Sequence, residues 1–225
     1  MNLASPFAAD VAFHLGPLAI SWPVIFGALV SFILALTARL LAGRVGRDQP
    51  GRIGTALEAV VTILRDQFDE IMQTDSRPFL PLLGSLFLFI AASNWLGLIP
   101  GFKSPTAHLE TTLALGLTVF GAAQVLGVRV RGLRAYLAGF AHPRWWMLPL
   151  NLLSEFTRTL SLVLRLFGNV MSGEFVIAIV LSLAGFLVPV PLMALEALLG
   201  LIQAYIFTIL AAVFIGGAIG TIERG

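Results

Sequence analysis

The stretch LSLVLRLFGNVMSGE, Leu160–Glu174, decides how this chain is to be read. Arg165 lies near its middle, Glu174 is the next charge and Glu196 the one after, all within the most apolar third of the sequence. A guanidinium cannot escape an apolar setting by losing its proton, because its pKa lies above about 12. Ionisable groups in membrane segments are costly and point to function. Helical phase strengthens the signal. Arg158, Ser161, Arg165, Asn169 and Ser172 follow one another at intervals of three or four, which places them within about 80° of one helical face. Such a stripe looks at protein or water, not at lipid.

Working outward, the composition agrees with a membrane setting. Of 225 residues, 58% are hydrophobic and 12% charged, far below the roughly 25% charge of a soluble domain. The mean hydropathy is +0.93. A formal net charge of +2 gives no basis for nucleic-acid binding, and the absence of cysteine excludes disulfides, thiolate catalysis and cysteine metal sites. The first basic residue is Arg39, so the start lacks the charged region of a cleaved signal peptide.

Uncharged runs cover Leu15–Ala38, Pro78–Phe102, Thr111–Val128, Phe175–Leu195 and Ala197–Ile222. Four reach the roughly 20 residues that cross a bilayer and the third falls within the tolerated range, so the expectation is five crossings. Pro100 and Gly101 read as the turn that leaves the second. Between the first two runs, Ile53, Leu57, Val60, Val61, Leu64, Phe68, Ile71 and Met72 recur at helical spacing among Glu58, Arg65, Asp66, Asp69 and Glu70. That pattern predicts an amphipathic helix along a surface. The expected organisation is a single all-α membrane domain over 1–225: an outer N-terminus at 1–16, a first span at 17–42, the amphipathic helix at 50–75 and a core at 78–222.

Arg39, Arg44, Arg47 and Arg52 follow the first span, Arg129, Arg131, Arg134 and Arg144 follow the third, and Arg224 follows the last, whereas the opposite side has Lys103. By the positive-inside rule the N-terminus faces out and the C-terminus faces the cytoplasm. Asp10 and His14 then lie outside, and Trp145 and Trp146 suit an interface.

From about Leu150 to Phe186 no proline interrupts the pattern; such a helix is roughly 55 Å long and must tilt, bend, or split near Gly168 or Gly173. The last helix, about Pro191–Ile222, places Glu196 and Gln203 seven residues apart on one face. Either a hydrated ion path or a structural hydrogen-bond network accounts for them. Arg165 and Glu174 are half a turn out of phase and about 13 Å apart along a straight helix, so they are poor partners. The arginine then has two possible partners, Glu196 on the neighbouring helix or a carboxylate from another subunit. His108 and Glu110 have no further ligand at metal spacing, and GxxxxGK[ST] is absent. The chain by itself is expected to be non-catalytic, with no nucleotide site.

The stretch Leu160–Glu174, followed by IQAYIFTIL, Ile202–Leu210, and preceded by FLFIAASNWLGLIPG, Phe87–Gly101, resembles the a subunit of rotary F-type ATP synthases, bacterial form. The resemblance covers essentially Pro78–Ile222. It implies a stator subunit of the Fo sector whose last two helices are long, tilted and curved against a ring of c subunits. It also implies b subunits of the peripheral stalk, the remainder of the F1Fo complex and membrane lipid as partners, no nucleic acid, no cofactor, and an inner-membrane location.

In the family pattern Arg165 matches the essential arginine between two aqueous half-channels, Asn169 the polar residue beside it, and Gln203 the glutamine facing it. Glu174 and Glu196 match the paired polar positions of the outer half-channel. One of that pair is histidine in many relatives and both are glutamate here, which keeps Na⁺ open beside H⁺ as the translocated ion. Asn94, Arg158, Ser161 and Ser172 are implied as further lining, although Arg158 equally suits a cytoplasmic-interface anchor. A small secondary transporter predicts an internal repeat and broken helices, and no repeat is found. A purely structural scaffold leaves the arginine stripe without a role.

Overall fold

A computed structural model describes residues 11–15, 18–45, 52–99, 104–133, 148–185 and 188–220, together with Phe102, Tyr136 and Trp146. Asp10, Arg47, Pro100, Gly101, Lys103, Arg134, Arg144, Trp145 and Arg224 lie outside the described residues. A short antiparallel hairpin opens the chain, β1 (Val11–Leu15) and β2 (Leu18–Ser21), with Phe13 opposite Ile20 and Leu15 opposite Leu18. It is an addition to the expected all-helical plan. Its residues sit in and just before the first uncharged run, where apolar content alone does not separate strand from helix.

α1 spans Trp22–Val45, with Pro23 in its first turn, where a missing N–H costs nothing. Leu29, Phe32, Ile33 and Leu36 are exposed along it, as expected of a helix solvated by lipid. α2 spans Arg52–Met72. Leu64, Phe68 and Met72, four residues apart, form its buried stripe, while Glu58, Asp66 and Glu70 are exposed. Tyr205 donates a hydrogen bond from its hydroxyl to Gln67 Oε1 (2.6 Å) and ties α2 to the last helix. The exit from α2 is held by Asp69, whose Oδ1 accepts the Ser76 backbone N–H at 2.6 Å.

α3 spans Leu80–Leu96, 17 residues, shorter than the uncharged run that contains it. Its hydrogen bonding tightens beyond Gly97, where Leu98 and Ile99 donate back three residues. The helix therefore ends before Pro100 and Gly101, the breakers on which the sequence expectation placed its end. A buried 3-10 turn, Pro105–Ala107, leads into α4 (Leu109–Arg131). Glu110 in the first turn of α4 and Arg129 and Arg131 in its last complement the helix dipole.

α5 runs unbroken over Leu148–Ala184. It does not split at Gly168 or Gly173, because neither residue adopts a positive φ and a helical glycine costs only about 1 kcal/mol. α6 covers Pro189–Ile219 and ends at Gly220, in the left-handed conformation (φ +82°) with its N–H on Gly216 O. Four helices, α1, α4, α5 and α6, are long and apolar enough to cross a membrane, and α3 is a shorter apolar helix.

α6 is the centre of the bundle. Ala204, Phe207, Ala211, Ala212, Ile215 and Ala218 are fully buried, and α2, α3, α4 and α5 all pack against it. Small residues on α4 let its neighbours approach closely. A Cβ at Gly116 would collide with Val163 of α5, and one at Gly127 would lie 3.0 Å from the Ala218 carbonyl of α6. Close approach over small residues is how helices gain contact where lipid removes most of the hydrophobic driving force.

Candidate functional site

The polar stripe of α5 is directed away from the chain's own core. Thr159, Leu162, Val163, Leu166 and Val170 form the buried side of this helix, while Arg158, Ser161, Arg165 and Ser172 are exposed and Asn169 is half-buried. Among the described residues the ion pairs are Arg65–Asp69 and Arg77–Asp75, and Arg165 joins neither. Arg158, Ser161 and Arg165 line an open cleft of about 740 Å³, closed on the other side by Leu210, Val213 and Phe214 of α6.

The internal Arg165–Glu196 pair is therefore not formed. Arg165 meets α6 beside Leu210, and Glu196 lies 14 residues earlier, about 21 Å along the axis. Gln203, midway between them, is 6% exposed. It does not line the arginine's cleft.

A second polar group gathers where α3, α5 and α6 meet. Asn94, buried on α3, donates through Nδ2 to the Gly200 carbonyl (2.9 Å) and accepts from the Thr106 hydroxyl. Ser104 Oγ donates to the Ser93 carbonyl (2.9 Å) and lies 2.6 Å from Thr106 Oγ1. Its backbone N–H donates to Glu174 Oε1 at 2.9 Å. Glu174, Glu196, Asn94, Ser104 and Gly97 line one small cavity.

Glycines make this assembly possible in a cyclic way. The Asn94 side chain of α3 lies over Gly200 of α6, the Glu196 carboxyl of α6 over Gly173 of α5, and the Glu174 carboxyl of α5 over Gly97, just past α3. Each of the three polar side chains thus lies over a bare backbone site on a neighbouring segment. Asn94 is the most exacting member, since its buried amide serves both a backbone carbonyl and a hydroxyl. Asn94→Ala is expected to destabilise by about 1–3 kcal/mol, the cost of stranding buried polar groups, and to lower the melting temperature of the purified complex. Asn94→Asp, which keeps the acceptor and loses the donor, should fall in the same direction.

A family model described as ATP synthase A chain matches residues 20–216. The chain belongs to the ATP synthase subunit a family. It is similar to "ATP synthase subunit a 2" of Bradyrhizobium sp. (strain BTAi1), with 51% identity over 222 residues, 99% of each chain. It is also similar to "ATP synthase subunit a 2" of Acaryochloris marina, 44% identical over 196 residues, 87% of this chain and 82% of that one. The similarity to "ATP synthase subunit a" of Legionella pneumophila is 38% over 213 residues, 95% and 93% of the two chains. Membership carries the stator role in ion translocation within the Fo sector of a bacterial F-type ATP synthase, with the F1Fo complex as the assembly and a multi-pass membrane location.

Among the residues that the family pattern matched, tertiary structure brings Asn94, Glu174 and Glu196 together and keeps Arg165 apart from them. Ser93, Ser104, Thr106 and Gly97 escaped sequence reasoning. The run Ser104-Pro105-Thr106 carries neither periodicity nor a charge, so nothing local marks its hydroxyls as facing inward.

Proposed function

We propose that Arg165 is the stator cation of the Fo motor, facing a carboxylate on a rotating ring of c subunits and separating two aqueous half-channels. The observation that carries this is a permanently charged side chain held on the outer face of α5 with no hydrogen bond or ion pair to any described residue. A cation at the contact favours the ionised form of a passing carboxylate, so the ring group releases its ion there. The same charge opposes passage of a bare cation from one half-channel to the other.

The outer half-channel runs past Asn94, Ser104, Glu174 and Glu196, and the inner one through the cleft lined by Arg158, Ser161 and Arg165. Asn169 and Ser172 extend the face turned toward the ring, and Gln203 supports it from α6. Five crossings, α1, α3, α4, α5 and α6, fit this arrangement with the N-terminus outside and the C-terminus cytoplasmic. Arg39 after the first crossing and Arg129 and Arg131 at the end of α4 then lie inside. The b subunits of the peripheral stalk and the c ring complete the partners.

H⁺ is the ion proposed, and the paired glutamates make Na⁺ the specific alternative, since two carboxylates lining one cavity offer hard oxygen ligands. The test is ATP-driven ion uptake by the reconstituted complex across a pH series, with and without Na⁺. Glu174→Gln and Glu196→Gln are each expected to slow uptake by about tenfold or more and to move its pH profile, given that a positioned proton-transfer group typically contributes at least about a hundredfold. Unchanged profiles in both variants would remove the glutamates from the path. Uptake that requires Na⁺ and resists a protonophore would assign Na⁺.

A further inference from the structure

Far from the ion path, α1 and α3 touch but leave between them an open groove of about 450 Å³, lined by Ser31, Ala35 and Ala38 of α1, Leu86 and Phe89 of α3, and Leu115 of α4. The hydroxyl protons at its wall are already committed. Ser31 donates to the Gly27 carbonyl (2.9 Å) and Ser85 to the Leu82 carbonyl (2.8 Å). The groove thus asks for an apolar occupant. It lies within the apolar span Trp22–Arg39, where water is scarce and an unfilled crevice forfeits dispersion contacts.

One end of the groove carries charge. Ser31, Ala35 and Arg39 recur every four residues along one face of α1, so Arg39 continues the groove-lining stripe by one turn. Arg39 is exposed and belongs to neither ion pair found among the described residues. An apolar slot with a cation one turn beyond it has the chemistry of a phospholipid site. A helix is about 10 Å across and would bridge over a crevice between two touching helices, whereas a single methylene chain enters it.

We propose that this groove holds one acyl chain of an anionic phospholipid, with the headgroup phosphate at Arg39. The lipid fills the gap between α1 and the α3–α4 pair and so anchors the first helix to the ion-conducting bundle.

The test uses the intact F1Fo complex in nanodiscs of phosphatidylcholine and phosphatidylglycerol, with a photoreactive group on the acyl chain of either lipid. Phosphatidylglycerol should label peptides of α1 and α3 about fivefold more than phosphatidylcholine, the worth of one arginine at an anionic membrane surface. Arg39→Gln, at the exposed end of the groove, should erase that preference. Ala35→Trp, which fills the crevice, should abolish labelling by both lipids, with ATP hydrolysis confirming assembly. Equal labelling by the two lipids in the unsubstituted complex, undiminished labelling in Ala35→Trp, or a cross-link from a photoreactive residue at Ala38 to another subunit in place of lipid would each overturn the proposal.

Discussion

Arg165→Ala is expected to abolish ATP-driven ion pumping while leaving the assembled complex as thermally stable as before. Both halves follow from the position of the side chain. Arg165 is exposed on α5 and engages no described group, so its removal strands nothing within this chain. Toward a partner carboxylate the loss is large. Two unit charges about 4 Å apart interact by about 4 kcal/mol at an effective dielectric of 20, close to a thousandfold in an ionisation equilibrium.

Without that bias the ring carboxylate holds its ion at the contact, and the barrier between the half-channels falls. Pumping should therefore drop to background, and passive ion leak through F1-stripped membranes should rise. Arg165→Lys tests the role of shape. A lysine restores a positive charge but not the planar, forked donor set, and its ammonium is more strongly hydrated, so recovery is expected to be partial at most. Coupled pumping by Arg165→Ala at the unsubstituted rate would end the assignment. A fall in melting temperature comparable to that of Asn94→Ala would instead mark the arginine as structural.

Gly116→Ala is expected to destabilise the protein markedly by overpacking the contact between α4 and α5. Its Cβ would land on Val163 of α5, in the contact that holds α4 against the buried side of the arginine helix. Overpacking of this kind costs about 1–3 kcal/mol. Gly121, five residues on in the same helix, has nothing within 4 Å of the equivalent position. There alanine should be neutral or stabilising by roughly 0.5–1 kcal/mol, because it is the better helix former.

The pair of substitutions separates local crowding from any general intolerance of α4 to a methyl group. A double-mutant cycle with Val163→Ala extends the test, as each change relieves the other. The double variant should melt higher than the sum of the singles predicts, with a coupling of about 0.5–3 kcal/mol, the range for residues in direct contact. Additive effects in the cycle, or equal destabilisation by Gly116→Ala and Gly121→Ala, would show that the α4–α5 approach is not set by Gly116.

Much of the fold was legible before any coordinates. The apolar repeat from Ile53 to Met72 marked α2 as an amphipathic helix, although Val60 and Val61 within it stay exposed; the proline-free run from Leu150 marked a long helix but left open a bend or split at Gly168 or Gly173; and the phase of Arg158 through Ser172 marked a single face. All of these are local periodicities, and a helix preserves them whatever it packs against. The hairpin before α1 and the early end of α3 were not legible. Pairing between β1 and β2, and the shift to three-residue hydrogen bonding past Gly97, depend on contacts that an apolar run does not encode.

The site divides in the same way. The sequence by itself determined that Arg165 carries an inescapable charge on a polar helical face, that Glu174 is out of phase with it, and that both belong to a membrane protein. Covalent chemistry and helical geometry suffice for those statements. The residues by themselves left Glu196 open to Arg165 and the family resemblance paired it with Glu174; the tertiary structure gathers it with Glu174 around one cavity, because which residues oppose each other on neighbouring helices depends on how far one helix slides along the other. Tertiary structure alone decided that Ser104 and Thr106 join Asn94 in one network, and that three glycines open the space for three polar side chains. Those outcomes rest on close approach between backbones distant in sequence, which no local pattern of side chains specifies.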